Sequence, residues 1–264
     1  ITSLLVIGIF LVSAFAVLGS NSTVETITAR GKPSSPPGQD DGGDDGGDTG
    51  TPWTTYGEDN GDKYALCIGI SDYDKRRNDL NFCDDDAIAW KDHLVSQGYY
   101  VLLLLDLKAT ADNVELAFIE LDNLEDSADS VVVTYSGHGY WYDATYGSCW
   151  ISTDMIYLTH GWVDMLMDNL EAGKQFVFTD ACESGDFNTG LAQPGRIAAA
   201  GAQGSGTYTY DASEYQMGAF TYFALVGNPV SAEQACEDAC AGFNAWLGAD
   251  QATWSDGVSG DFIF

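Results

Sequence analysis

Two short motifs hold the residue types that cysteine-based catalysis needs. YSGHG contains His138, and TDACESGDF contains Cys182. Each follows a short apolar run with strand character and passes at once into Gly-rich turn residues. The thiolate is the reactive form of cysteine, and most thiols are protonated at neutral pH, so a neighbouring imidazole has to take the proton. The pair indicates a cysteine nucleophile with a histidine base.

Alternating strand and helix patterns run from residue 64 onward, and they must position the two motifs. Helical spacing of apolar residues follows Thr110 or Asp112, then Thr159, and then a capping box that begins at Ser231. This alternation predicts an α/β fold, a three-layer α/β/α sandwich with a mostly parallel sheet. Catalytic groups gather at the carboxyl ends of parallel strands, and both motifs follow such ends.

Smaller expectations concern the ends of these elements. Asp84, Asp85 and Asp86 are expected to cap the first helix and to face its positive end. The tail GVSGDFIF is expected to add a last strand. His93 and His160 are expected at the surface.

The two motifs, in this order, resemble those of the caspase-like cysteine peptidases, the group of caspases, metacaspases, gingipains and legumains. The His motif resembles that of metacaspases and their prokaryotic relatives. A-C-E-S-G is closer to legumains, because metacaspases usually carry His where this chain has Glu183. The resemblance spans about residues 64–246. It implies a caspase-like fold, with Cys182 as nucleophile, His138 as base, and the backbone N–H groups of Gly139 and Cys182 as the oxyanion hole.

The resemblance also bears on the residue accepted before the cleaved bond. Caspases bind Asp through arginines, and the position of one of them corresponds to Leu80 here. The loop is closer to the metacaspase pattern L-x-G-C-x-x-D-A, although Phe82 replaces the Gly. In that branch Asp86 and Asp180 are the carboxylates implied to hold a basic side chain, which predicts cleavage after Arg or Lys. Carboxylates bind a guanidinium through charge-assisted hydrogen bonds.

Alternatives to this assignment remain open. Asp86 could only cap its helix while Asp180 only orders the nucleophile loop. The legumain-like Glu183 makes Asn the chief rival to Arg and Lys. The segment from residue 207 onward resembles the second half of prokaryotic caspase-like proteins, which makes Tyr210 and Asp211 candidate cleft residues.

Composition limits the partners. The formal charge is −30, from 40 acidic and 10 basic residues, so nucleic acid and anionic membranes would be repelled. Protein or peptide substrates are expected instead. The three scattered histidines form no metal-ligand pattern, and Cys236 and Cys240 lack a zinc spacing. We expect no metal site and no cofactor, and at most a weak calcium effect through charge screening.

The first sixty residues predict export. Residues 1–19 are uncharged and apolar, as in a signal peptide or a membrane anchor, and Asn21 begins a glycosylation sequon. Residues 20–60 contain DDGGDDGGD and are predicted to be a disordered acidic Gly/Pro linker. The peptidase-like domain is assigned to residues 61–264. These features predict a secreted or cell-surface protein, with membrane contact only if residues 1–19 are retained.

Two functions from different classes fit this sequence. One is a cysteine endopeptidase. The other is a catalytically silent caspase-like domain that acts as a cell-surface binding or structural module, for which the linker and the anchor would be the evidence. A serine hydrolase is disfavoured because a G-x-S-x-G motif is lacking.

Many relatives in this family are activated by a cut between their two halves. Arg196 is the candidate position for such a cut here, but it reads as the start of a strand, so we predict no obligatory cut there. The oligomeric state is not predicted.

Overall fold

The computed structural model describes residues 50–264, so the predicted signal or anchor and most of the linker lie outside the described residues. The strands are β1 (Thr54–Tyr56), β2 (Lys63–Gly69), β3 (Tyr100–Leu105), β4 (Ser130–Ser136), β5 (Gly139–Trp141), β6 (Ser148–Ile151), β7 (Tyr157–Thr159), β8 (Lys174–Asp180), β9 (Arg196–Ala200), β10 (Asp211–Ala212), β11 (Met217–Gly218) and β12 (Thr253–Asp256). The α-helices are α1 (Cys83–Ser96), α2 (Ala111–Leu124), α3 (His160–Asn169), α4 (Asp186–Thr189), α5 (Ala219–Leu225) and α6 (Ala232–Leu247).

A seven-stranded sheet forms the middle layer, in the order β1-β3-β2-β4-β8-β9-β12. Its five inner strands are parallel, and the two edge strands are antiparallel to their neighbours. The chain order of the strands reverses between β2 and β4. Ligand sites in open α/β sheets form at the carboxyl ends of strands at such a reversal.

The core lies on both faces of this sheet. Along β2, Leu66 and Ile68 point into one apolar cluster and Ala65 and Cys67 into the other, as expected when successive side chains alternate. Helices α2 and α3 cover the first face, and α1, α5 and α6 cover the second. The predicted three-layer α/β/α sandwich is therefore confirmed.

Three helix starts follow the predicted caps. The side chains of Thr110, Thr159 and Ser231 each accept a hydrogen bond from the backbone N–H three residues later. Such a cap stabilises a helix by about 1 kcal/mol, because it pairs one of the N–H groups that the first turn leaves without a partner.

The start of α1 departs from prediction. Its N-cap residue is Phe82, which makes no side-chain cap bond. The hydroxyl of Ser71, from the loop after β2, instead accepts the N–H groups of Cys83 and Asp84, at 2.9 and 3.2 Å. The expectation that the aspartates cap this helix was wrong, because Ser71, at the far end of the loop that leads into the helix, fills that role. The three aspartates do lie in the first turn, at the positive end of the helix.

Other local expectations are corrected as well. The linker does not extend to residue 60, since β1 pairs with β3 and the side chain of Trp53 is buried against the core. The last strand is β12 rather than the GVSGDFIF tail, from which Ile263 forms a single bridge to Ser231.

His93 is not at the surface as expected. It is buried against Trp90, and desolvation lowers the pKa of its imidazole. Within residues 50–264, no helix is long and apolar enough to span a membrane.

Candidate active site

The register of two central strands brings the two motifs together. In the parallel pair β4–β8, Ser136 lies opposite Asp180. His138 and Cys182 each come two residues after this pair, so the chain delivers both side chains to the same level beyond the sheet. The N–H of Gly137 also donates to the carbonyl of Asp180, at 3.3 Å, which holds the two strand ends together. The predicted meeting of imidazole and thiol at neighbouring strand ends agrees with this register.

Gly139 is the first residue of β5 and follows His138 directly. Its backbone lies in close contact with the loop that holds Cys182, called the nucleophile loop below. A Cβ atom on Gly139 would lie 2.0 Å from the carbonyl oxygen of Cys182 and 2.9 Å from the Cβ of Ala181. Only glycine permits two backbone segments to approach this closely. The two residues implied to form the oxyanion hole, Gly139 and Cys182, therefore adjoin each other.

The imidazole of His138 is held from the loop that follows β2. Its Nε2 lies 2.8 Å from the carbonyl oxygen of Asn78, and since a carbonyl can only accept, Nε2–H is the donor in this contact. The ring of Tyr73 packs against the imidazole, with centroids 4.8 Å apart. The Tyr73 hydroxyl also accepts the backbone N–H of His138, at 2.8 Å.

Both candidate catalytic side chains are covered. His138 is 7% exposed and Cys182 is 2% exposed. The Sγ of Cys182 lies 3.8 Å from the carbonyl oxygen of Thr209, which belongs to the segment between β9 and β10. The Thr209 carbonyl is therefore one of the groups that cover the sulfur.

Glu183, the residue that separates the motif from metacaspases, has a structural function. Its backbone is left-handed, with φ of 51°. Its carboxylate accepts the N–H of Trp141 at 2.7 Å and the N–H of Gly206 at 2.6 Å. The side chain therefore ties the end of β5 to the segment between β9 and β10.

The structure brings Asp86 and Asp180 together at Gly218. A Cβ on Gly218 would lie 2.4 Å from one oxygen of Asp180 and 2.5 Å from one oxygen of Asp86. Both carboxylates are 0% exposed. Asp86 accepts the hydroxyl of Ser136 at 2.6 Å and the N–H of Gly218 at 2.7 Å, and Asp180 accepts the N–H and hydroxyl of Thr221 at 3.1 and 3.0 Å.

Tyr210 and Asp211 border this pair of carboxylates. Asp211 pairs with Gly218 in the β10–β11 hairpin, and its carboxylate accepts the N–H of Asn81 at 3.2 Å. The ring of Tyr210 lies 6.2 Å from that of Trp246, on the outer side. Asp211 thus connects the hairpin to the loop that carries Leu80, and the carbonyl of Tyr210 accepts the N–H of Ala219 at the start of α5.

Four of the other cysteines have raised thiol pKa values. Burial raises the pKa of the thiols of Cys67, Cys149 and Cys240 to about 12, and raises that of Cys236 well above its usual value. All six cysteines fall within residues 50–264, where the structure has no disulfide bond. Nor do the described residues contain a group of three or more His, Cys, Asp or Glu side chains placed to hold a metal ion.

Comparison with known proteins assigns the family. The family model described as the caspase domain matches residues 62–246. The chain belongs to the caspase-domain family. Membership points to a cysteine-type peptidase, a hydrolase that acts on protein substrates. No curated protein matches this caspase-domain protein.

Solved structures share its fold. A protein from Geobacter sulfurreducens, known from a crystal structure, is similar with a TM-score of 0.60 and 19% identity, over 76% of this chain and 95% of the other. Caspase-1 from Spodoptera frugiperda is similar with a TM-score of 0.57 and 9% identity, over 78% of this chain and 90% of the other. At such low identities the likeness concerns the fold.

Sequence reasoning missed several residues of this site. Asn78 contributes a backbone carbonyl, which leaves no signature in residue type. Tyr73 reaches the site from the loop after β2 and Thr221 from α5, and nothing in their local sequence marks them. Ser136 could have been found from the sequence, because it stands two residues before His138 in the same motif. In the structure its hydroxyl donates to the carboxylate of Asp86.

Proposed function

We propose that this caspase-domain protein is a cysteine endopeptidase in which Cys182 is the nucleophile and His138 the general base. The observation that carries the proposal is the β4–β8 register, which sends the two residues to the same level beyond the sheet. The carbonyl of Asn78 supports it, because it holds the His138 imidazole in place by accepting Nε2–H.

In this mechanism His138 takes the thiol proton as the sulfur of Cys182 attacks the peptide carbonyl carbon. The negative charge on the former carbonyl oxygen is met by the backbone N–H groups of Gly139 and Cys182. The C–N bond then breaks, and His138 returns the proton to the leaving amine. Water, activated by the same imidazole, hydrolyses the acyl-enzyme and restores the thiol.

We further propose that the enzyme cleaves after Arg or Lys. Two carboxylates, from Asp86 and Asp180, meet at one point near the end of the nucleophile strand. Their observed partners include neutral donors on Gly218 and Thr221. A guanidinium or ammonium group forms stronger, charge-assisted bonds than these donors do, so a basic side chain gains by replacing them. An acidic side chain would be repelled.

A peptide series tests the specificity. Otherwise identical peptides carry Arg, Lys, Asn or Asp before the cleaved bond and are compared with wild type, Asp86→Ala and Asp180→Ala. We expect kcat/KM for Arg and Lys to exceed that for Asn by about 100-fold, and the preference to collapse in both variants. Asp92→Ala is the matched control, since Asp92 is an exposed carboxylate on the same helix as Asp86. Fastest cleavage after Asn or Asp would disprove the assignment.

A second function has one observation in its favour. The thiol of Cys182 is 2% exposed and lies beneath the Thr209 carbonyl, as it would in a silent domain that serves as a binding or structural module. The two functions make different predictions for the reactivity of this thiol.

A secreted or cell-surface location is likewise a proposal, supported by the apolar residues 1–19 and the acidic stretch after them. Fractionation of the native source, with antibody against the domain, tests it. Recovery of the protein from the cytoplasm would contradict it.

A further inference from the structure

A half-buried carboxylate outside the proposed dyad anchors the loop that holds His138. Asp106 follows β3 directly, and one of its oxygens accepts the backbone N–H groups of both Ser71 and Asp72, each at 2.9 Å. These two residues begin the loop after β2. The backbone of Asp106 is left-handed, with φ of 50°, a conformation that Asp and Asn tolerate better than most residues. The chain thus adopts an uncommon conformation at the residue whose side chain clamps the neighbouring loop.

The clamped loop makes several contacts that orient the imidazole. The ring of Tyr73 packs against the imidazole of His138, and the Tyr73 hydroxyl accepts the backbone N–H of His138. The carbonyl of Asn78 accepts Nε2–H of the same imidazole. Tyr73 follows Asp72 directly, so a shift of the clamped residues moves its ring as well. The loop is also tied at Leu80, whose N–H donates to the carbonyl of Ser71 at 2.8 Å.

We infer that Asp106 is a positioning residue of the proposed peptidase, which acts through the loop of residues 71–81 to hold the His138 imidazole in its reactive orientation. This inference rests on the proposed function, because orientation of the imidazole matters for turnover only if His138 is the base. Asp106 acts on His138 through this loop, from the end of β3, the strand next to β2 in the sheet.

The surroundings of Asp106 add a dependence on pH. Burial raises the pKa of its carboxyl to about 6, and the charges of Asp84 on α1 and Asp72 in the loop raise it further in the same direction. The Asp84 carboxylate is itself bound by the hydroxyl of Ser71. As pH falls through about 6, Asp106 takes up a proton and its two bonds lose their charge assistance. The anchor is therefore strong above this pH and weaker below it.

The test compares wild type with Asp106→Asn and Asp106→Ala. Asn keeps the acceptor oxygen and the left-handed backbone but does not titrate, whereas Ala removes the acceptor. The matched control is Asp59→Ala, which removes a carboxylate that also accepts two bonds, from Gly61 and Tyr64, at the opposite end of β2. Two readouts are taken across pH 5–9: kcat and KM on an arginyl peptide, and the ¹⁵N shifts of the His138 imidazole. The chain has three histidines, so the resonances can be assigned by substitution.

We expect Asp106→Ala to lower kcat by about 100-fold with little change in KM, as a displaced catalytic group does. Asp106→Asn should lower kcat at pH 8 by about fivefold, the difference between charged and neutral hydrogen bonds, and its kcat and His138 shifts should converge on those of wild type as pH falls below about 6, where the wild-type carboxyl is neutral too. If Asp106→Ala does not fold, this convergence decides the matter, because the comparison cancels any titration that the two proteins share. A wild-type protein without peptidase activity refutes the proposed function, but its His138 shifts still test the anchor. Unchanged kcat and unchanged His138 shifts in both variants would overturn the inference.

Discussion

The close approach of Gly139 to the nucleophile loop makes Gly139→Ala an informative perturbation. The added Cβ would lie 2.0 Å from the Cys182 carbonyl oxygen, whereas real Cβ atoms essentially never come closer than 3.0 Å. The neighbour is backbone, so the contact cannot be relieved by rotating a side chain. The backbone at Gly139, next to His138, and the nucleophile loop must separate by about 1 Å or more.

Two quantities should change. A misplacement of this size between base and nucleophile lowers kcat/KM by about 100-fold. Overpacking of a fully packed position lowers the free energy of unfolding by about 1–3 kcal/mol. Peptidase assays on an arginyl peptide and urea denaturation measure these effects separately, so a loss of activity is not confused with a loss of folded protein.

The matched control is Gly161→Ala on α3. A Cβ on Gly161 would meet nothing within 4 Å, and alanine is the better helix former, so this variant should be slightly more stable and fully active. If Gly139→Ala kept wild-type activity and stability, the close backbone contact would have no part in catalysis, and the reasoning would be refuted.

Two further predictions follow from burial and charge. Active protein should keep an unbroken chain at Gly195–Arg196, because Arg196 is 1% exposed, lies in β9 and is paired with Asp164 and Asp168; an intact mass showing a cut here in all of the active fraction would contradict this. Calcium should change activity no more than sodium does at matched ionic strength, since its effect would be charge screening; a micromolar calcium requirement that sodium cannot replace would be evidence against it.

The sequence predicted those features that local residues determine. The fold class followed from alternating apolar runs, and the caps at Thr110, Thr159 and Ser231 followed from side chains that bond within their own helix turn. The start of β9 at Arg196 was also predicted. The family resemblance implied the convergence of Asp86 and Asp180, which the structure brings about through contacts with Gly218.

The features that the sequence did not predict depend on contacts between distant segments. Ser71 caps α1 from twelve residues upstream, at the start of the loop that leads into the helix, and Asn78 acts through a backbone atom. The three-residue strand β1 has little pattern of its own and is stabilised by pairing with β3. His93 looked polar in its helix, but the C-terminal Phe264 packs over it, with ring centroids 5.4 Å apart.

The most direct test of the proposed nucleophile is the reactivity of its thiol. Purified protein is treated at pH 7.5 with iodoacetamide and, separately, with an arginyl chloromethylketone, and each cysteine is followed by peptide mass spectrometry. Burial keeps Cys67, Cys149, Cys236 and Cys240 protonated, so these thiols should react slowly.

We expect Cys182 to be labelled much faster than every other cysteine, with the fast phase lost in Cys182→Ala and strongly slowed in His138→Ala. The peptidyl reagent should label Cys182 alone. Equally slow labelling of all six cysteines would contradict the proposed activity and favour a catalytically silent domain.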